Sequence, residues 1–172
     1  MLTVRDVRAE DRALYEEMAY DFYSGDAVLY PMTEEKLAAT LHMALSGSPM
    51  MRLVIMEDGR ECVGYGNLSF TWSTEAGGTV MWIEEIYVRP QHRGKGYGSA
   101  FLQWAEDAYA GQVKRFRLEV CPENPMQNAS TSGTDTAIWA TCRWCGNKIG
   151  SRNARASRTV RRNKINKKRS SL

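Results

Sequence analysis

From Thr79 to Ser99 the chain reads TVMWIEEIYVRPQHRGKGYGS, and the reading of these residues decides both fold and chemistry. Residues Thr79 to Arg89 are rich in β-branched and aromatic side chains and end at Pro90. That composition marks a long strand, and the proline stops it. Gly94, Gly96 and Gly98 then stand at alternate positions, and an amphipathic helical pattern runs on from about Gly96 to Tyr109. Glycines here remove the side chains that would hold a ligand off the backbone, and they permit the positive φ angles that turn successive N–H groups to one side. Such a nest, opening into a helix amino terminus, suits a phosphate group, with Arg93 and Lys95 as countercharge. The glycine spacing is not that of a P-loop, and no short parallel βαβ unit surrounds it as a dinucleotide fingerprint requires.

Working outward, Leu2 to Val7 alternates apolar and polar residues as a half-buried strand does. A helical pattern runs from Ala9 to about Tyr23, broken by Ser24-Gly25-Asp26. A second helix starts near Thr33, where Thr-Glu-Glu-Lys supplies a cap and early carboxylates, and ends near Ser46-Gly47. Met51 to Glu57 and Cys62 to Ser73 read as strands around the hairpin signal Asp58-Gly59. Val113 to Cys121 is another alternating strand. The order β-α-α-β-β-β-α-β across residues 1 to 121 predicts an α+β domain with a mixed, mainly antiparallel sheet flanked by helices.

At 172 residues, with 43% hydrophobic and 25% charged residues, the chain suits one domain with a sizeable core. No apolar stretch reaches the roughly 20 residues of a membrane helix, and the charged amino terminus is unlike a signal peptide. A cytoplasmic protein without membrane contact is therefore expected. Cys62 and Cys121 read as buried free thiols and Cys142-x-x-Cys145 as a lone CxxC, so neither disulfides nor a metal site is expected. The net charge of +3 averages two unlike pieces. Residues 1 to 124 carry 12 Lys or Arg and 19 Asp or Glu, while residues 125 to 172 carry 11 basic residues and one acid, Asp135.

Gln91-His-Arg-Gly-Lys-Gly96, with the overlapping Arg93 to Gly98, resembles the acetyl-coenzyme A signature of the GNAT superfamily of N-acetyltransferases, Gln/Arg-x-x-Gly-x-Gly/Ala. The preceding Trp-Ile-Glu-Glu-Ile-Tyr-Val-Arg-Pro is similar to that family's central strand, and the order of elements over about 120 residues fits a three-layer αβα fold. The resemblance implies acetyl-coenzyme A as co-substrate and direct acetyl transfer to a primary amine, on a small molecule or a peptide. Gln91 and the backbone from Arg93 through Gly94, Lys95, Gly96, Tyr97 and Gly98 to Ser99 would hold the pyrophosphate. Backbone groups of Ile86, Tyr87 and Val88 would pair with the pantetheine arm as an added strand does, and Asn124 falls in the same cofactor set.

Transfer to an amine needs a general base, and Glu84 and Glu85 are the candidates. Strand alternation lets only one of them face the cleft; Glu85 is favoured, and the alternative is that both are ordinary strand carboxylates. In the family, substrate contacts come from the loop between the first two helices. Here that loop offers Tyr20, Asp21, Tyr23, Asp26 and Tyr30, of which Tyr23, Asp26 and Tyr30 are taken as substrate-binding; the alternative is that these aromatics simply pack on the sheet. His42 reads as structural, and His92 as flanking the phosphates or exposed. A homodimer is left open.

Past Cys121 the family continues with a helix and closing strands, whose Tyr often protonates the leaving thiolate. This chain has Pro122-Glu-Asn-Pro125 on cue and then departs. Back-translation of Met126 to Thr136 in a shifted frame can give Ala-Lys-Arg-Leu-Tyr-Glu-Arg-Tyr-Gly-Tyr, the missing helix. The expectation is a domain over residues 1–124, and a basic, low-order tail over 125–172 produced by a one-base deletion or reading error. That outcome leaves the sheet's end uncovered, with unpaired edge groups. Two other functions compete. One is nucleic-acid binding through Arg158, Arg161, Arg162, Lys164, Lys167, Lys168 and Arg169, which matches no recognition motif. The other is a GNAT fold that binds acyl-coenzyme A without turnover.

Overall fold

A computed structural model of the chain describes residues 1–24, 31–119 and 139–141. Strand β1 (Leu2–Asp6) leads through a 3₁₀ turn (Ala9–Asp11) into helix α1 (Arg12–Tyr23), followed by α2 (Glu34–Leu45). The 3₁₀ turn replaces the first turn expected of α1. Asp11 accepts the Arg8 amide at 2.8 Å and the Arg5 guanidinium at 2.6 and 2.9 Å, which ties the turn to β1. Thr33 caps α2 by accepting the Lys36 amide. The chain continues as β2 (Met51–Asp58), β3 (Glu61–Ser73) and β4 (Gly78–Val88). A second 3₁₀ turn (Pro90–His92), helix α3 (Tyr97–Ala108) and strand β5 (Arg115–Glu119) complete the expected order, and Trp139–Thr141 forms a further short strand, β6.

The sheet runs β1-β2-β3-β4-β5-β6, antiparallel from β1 to β4 and parallel across β4, β5 and β6. Alternation along β2 shows how the layers form. Leu53 and Ile55 pack with Tyr15, Met18, Leu37 and Leu41 beneath α1 and α2. Val54 and Met56 pack with Phe101, Leu102 and Ala105 beneath α3. The result is the three-layer αβα arrangement expected.

Strand β6 has no counterpart among the elements expected from sequence, which end before residue 125. It pairs in parallel with β5 from Arg117↔Trp139 to Glu119↔Thr141. The expectation that this side of the sheet ends in a bare edge is corrected at those three residues: an open strand edge is a template for any extended segment that reaches it. Cys62, expected buried, is a half-buried free thiol beside Met18 Sδ at 3.8 Å.

Two irregularities in β4 shape the end of the strand that leads into the glycine loop. Asn67 lies opposite Glu85, but Leu68 lies opposite Ile83, so Glu84 is an extra residue in the ladder, a β-bulge. Met81 and Ile83 therefore face α3, whereas Glu85 and Tyr87, still at odd positions, face α1 and α2. The pairing of β4 with β5 spans Val80↔Arg115 to Ile83↔Leu118 and no further. From Glu84 to Val88 the β5 side of β4 has no described strand against it.

Candidate active site

The bare length of β4 leads straight into the glycine segment. Gly94 and Gly96 take φ of 76° and 83°, the left-handed region that glycine enters at no steric cost. A side chain added at Gly94, Gly96 or Gly98 would meet nothing within 4 Å, so the loop's outer surface is open to an approaching group. Helix α3 starts at Tyr97, and the Ala100 amide bonds to Gly96 O at 3.0 Å. The preceding amides stand at the positive end of the helix dipole, the geometry that binds phosphate. Lys95 is exposed beside them. Arg93 is turned back: its Nε donates to Val88 O at 3.0 Å, and its guanidinium lies 5.8 Å from the Tyr87 ring centroid.

Arg89 donates its amide to Val63 O across β3. By strand alternation, Ile86 and Val88 then direct their N–H and C=O groups to the opposite edge, into the space beyond β5. Tyr87, grouped with them from sequence, does not: its backbone belongs to the β3 side. Its phenol donates to Asp21 Oδ2, and burial together with that bond pushes it up to about 12. His92 is a second correction. It is 6% exposed, with Nε2 3.1 Å from Glu61 Oε1 and its ring against Tyr97, because the 3₁₀ turn after Pro90 folds it under the loop rather than along it. Tyr97 donates its hydroxyl to Asp58 Oδ2 at 2.6 Å, pinning the start of α3 to the β2–β3 hairpin.

On the α1/α2 side of the same stretch lies a cavity of about 290 Å³, lined by Tyr23, Thr40, Met51, Asn67, Ser69, Glu84 and Glu85. Strand alternation predicts one carboxylate there. The bulge at Glu84 breaks the alternation, and both line the cavity. Glu84 is exposed and accepts from Ser69 Oγ at 2.5 Å. Glu85 is 8% exposed, and Tyr23 Oη donates to its Oε1 at 2.7 Å, Tyr65 Oη to its Oε2 at 2.6 Å and Asn67 Nδ2 to its Oε1 at 3.2 Å. Burial, and then the Glu85 charge, drive the Tyr23 and Tyr65 phenols well above the usual range, so both remain donors.

Of the residues expected to touch substrate, Tyr23 is placed at this cavity; Asp26 and Tyr30 lie outside the described residues, as do Asn124 and the basic residues of the tail. Sequence reasoning missed Tyr65, Asn67 and Ser69. A signal existed for Asn67: it is the one amide side chain in the otherwise apolar and glycine-rich run Val63 to Leu68. The loop amides, the open Cβ positions and the stretch of β4 with no described strand against it together fit a phosphorylated ligand with an extended arm.

Solved structures of like architecture include the ribosomal-protein-alanine N-acetyltransferase of Brucella melitensis biovar Abortus 2308 (TM-score 0.61, 14% identity, covering 88% of this chain and 99% of that one). Another is AAC(6')-Iy, solved with the bisubstrate analogue CoA-S-monomethyl-acetylneamine (TM-score 0.64, 12% identity, covering 89% and 98%). At such identities the likeness is one of fold. In sequence, 63 residues are 41% identical to the thialysine N-epsilon-acetyltransferase of Sus scrofa, a stretch that spans 36% of this chain and 36% of that enzyme. The profile of the acetyltransferase (GNAT) family extends much further, over residues 11–129; it takes in the bulged strand, the glycine loop and α3, and the chain belongs to that family.

Proposed function

We propose that this protein transfers an acetyl group from acetyl-coenzyme A to a primary amine by direct attack. The observation that carries the reading is the convergence at one end of β4: the edge with no described strand against it, the α3 amino terminus and the cavity lined by Glu84 and Glu85 adjoin one another. Acetyl-coenzyme A, when bound, supplies the acetyl group as a thioester. Amides at the start of α3 and Lys95 bind its phosphates, and the Ile86 backbone and the Val88 N–H offer strand hydrogen bonds to its arm, the Val88 carbonyl being held by Arg93. Glu84 draws a cationic amine into the cavity. Glu85, fixed by Tyr23, Tyr65 and Asn67, takes the amine's proton through a water. Carboxylates and phenols around one cavity suit a cation and disfavour an anion.

Thermal-shift titration and turnover test this. Acetyl-coenzyme A at a hundredfold excess over its Kd is expected to raise the melting temperature by about 5–10 °C, and acetylated amine should accumulate. Binding with no turnover of any primary amine would leave an acyl-coenzyme A-binding fold instead, and no binding would overturn the whole reading. Gly96→Ala is expected to lose about 1–2 kcal/mol of stability, since its left-handed φ disfavours a side chain where space does not. It should also raise the KM for acetyl-coenzyme A with little change in kcat.

In sequence, residues 126–172 replace the family's closing helix and carry no Tyr, so water or another group protonates the leaving thiolate. A version restoring one base after the Pro125 codon is expected to melt higher and turn over faster than the chain as written. Resequencing tests the origin of the tail: an intact Pro125–Met126 junction whose shifted frame does not encode this helix would refute it.

A further inference from the structure

Strand β5 divides its side chains between the faces of the sheet. Phe116 and Leu118 pack beneath α3, so Arg115 and Arg117 project to the α1/α2 side, the side of the Glu84–Glu85 cavity. Arg115 is paired with Glu75 at 3.1 Å. Arg117 differs: its guanidinium carbon lies 4.9 Å from the Trp82 ring centroid, and among the residues whose side chains are described its Nε is buried with no hydrogen-bond partner and no carboxylate forms an ion pair with it. Trp82 sits opposite Arg117 on one side and Ser69 on the other, and Ser69 holds Glu84. One row of the sheet therefore runs Ser69, Trp82, Arg117, with the two carboxylates at its border. From Arg117 to Glu84 is two residues along the strands and one strand across, roughly 8 Å between backbone positions.

A guanidinium lying against an indole keeps its N–H edge for an in-plane acceptor with two oxygens, which a carboxylate matches and an amine does not. We propose that Arg117, seated on Trp82, reads a carboxylate on the acetyl acceptor, so that the substrate is an amino acid whose amine enters the Glu84–Glu85 cavity while its carboxylate stays on Arg117. A polyamine of similar length would bring a second ammonium against Arg117 and is disfavoured by like charge. The inference rests on the amine-acetylating reading and adds to it the chemistry of the substrate's other end.

The test is calorimetric, on the full chain with coenzyme A present. Lysine is compared with 1,5-diaminopentane, which lacks only the carboxylate. The unmodified protein is expected to bind lysine about tenfold or more tighter. Arg117→Gln should abolish the difference by losing lysine while keeping or improving the diamine, whose retained binding also shows that the variant is folded. Arg117→Lys should restore part of the preference. Equal affinities in the unmodified protein, a preference that survives Arg117→Gln, or no binding of either compound overturns the proposal. Acetyl transfer to both compounds is measured separately. Arg117-dependent lysine binding without acetylation would overturn the transferase reading alone, and indifferent acetylation of both would overturn this inference alone.

Discussion

Glu85→Gln is expected to lower kcat by about 10²–10⁴-fold at saturating acetyl-coenzyme A, whereas Glu84→Gln raises the KM for the amine and leaves kcat within a fewfold. The two carboxylates share a cavity but not an environment. Glu84 is exposed, bonded to Ser69, and well placed to attract an ammonium from solvent. Glu85 is buried and oriented from both oxygens, and an oriented group is what proton transfer in a transition state needs. The amide variant keeps its shape but loses the charge, and it turns an NH₂ toward a tyrosine or asparagine donor. Some stability is lost with the activity, because a donor facing a donor leaves buried polar groups unpaired. The melting temperature and acetyl-coenzyme A affinity of each variant separate that loss from chemistry. If both variants retain full kcat at neutral pH, neither carboxylate is the base. If Glu84→Gln alone abolishes kcat, the roles are exchanged.

The element order and the three layers were legible because they rest on periodicities that tertiary contacts did not override. Leu53 to Met56 is a plain example: any strand with helices on both faces needs apolar residues at consecutive positions, and these four fill both cores. The same feature hid the bulge. Val80 to Val88 is apolar in both phases except at Glu84 and Glu85, so the run carries no sign of where its faces exchange. Only the ladder with β3, slipping between Asn67 and Leu68, decides it. The outcome bears on the proposed chemistry, since without the slip Glu84 and Glu85 would lie on opposite sides of the sheet. The glycine loop was readable for the opposite reason: positive φ is nearly a glycine property, so Gly94 and Gly96 announce it. His92 was misplaced because burial of a polar ring depends on a partner, Glu61, that is 31 residues distant. Trp139–Thr141 is too short to show any period, and what makes it a strand is the open edge of β5.

Phe101→Ala carries the largest expected loss of stability, about 3–5 kcal/mol, and its partner Gly66 makes that loss diagnostic. Phe101, on the inner face of α3, is fully buried, with its ring centroid 5.4 Å from that of Trp104. It owes its place to a missing side chain: a Cβ on Gly66 would lie 2.3 Å from its Cζ and 2.7 Å from its Cε2. Gly66→Ala alone must then push the ring, and with it the first turns of α3, at a cost of about 1–3 kcal/mol. In the Phe101→Ala background the obstacle is gone. The added methyl enters the cavity, and alanine suits a strand interior better than glycine does, so the same substitution becomes neutral or mildly stabilising. The two changes should therefore couple by about 1–3 kcal/mol in urea denaturation of the four proteins. Additivity within about 0.5 kcal/mol would mean that α3 does not lean on β3 through this contact. The coupling extends to the proposed chemistry, because Phe101 lies one turn from Tyr97, where α3 presents its amides. Gly66→Ala is accordingly expected to weaken acetyl-coenzyme A binding, and removing the ring from Phe101 should not restore it, since the helix then has room but no longer a fixed seat.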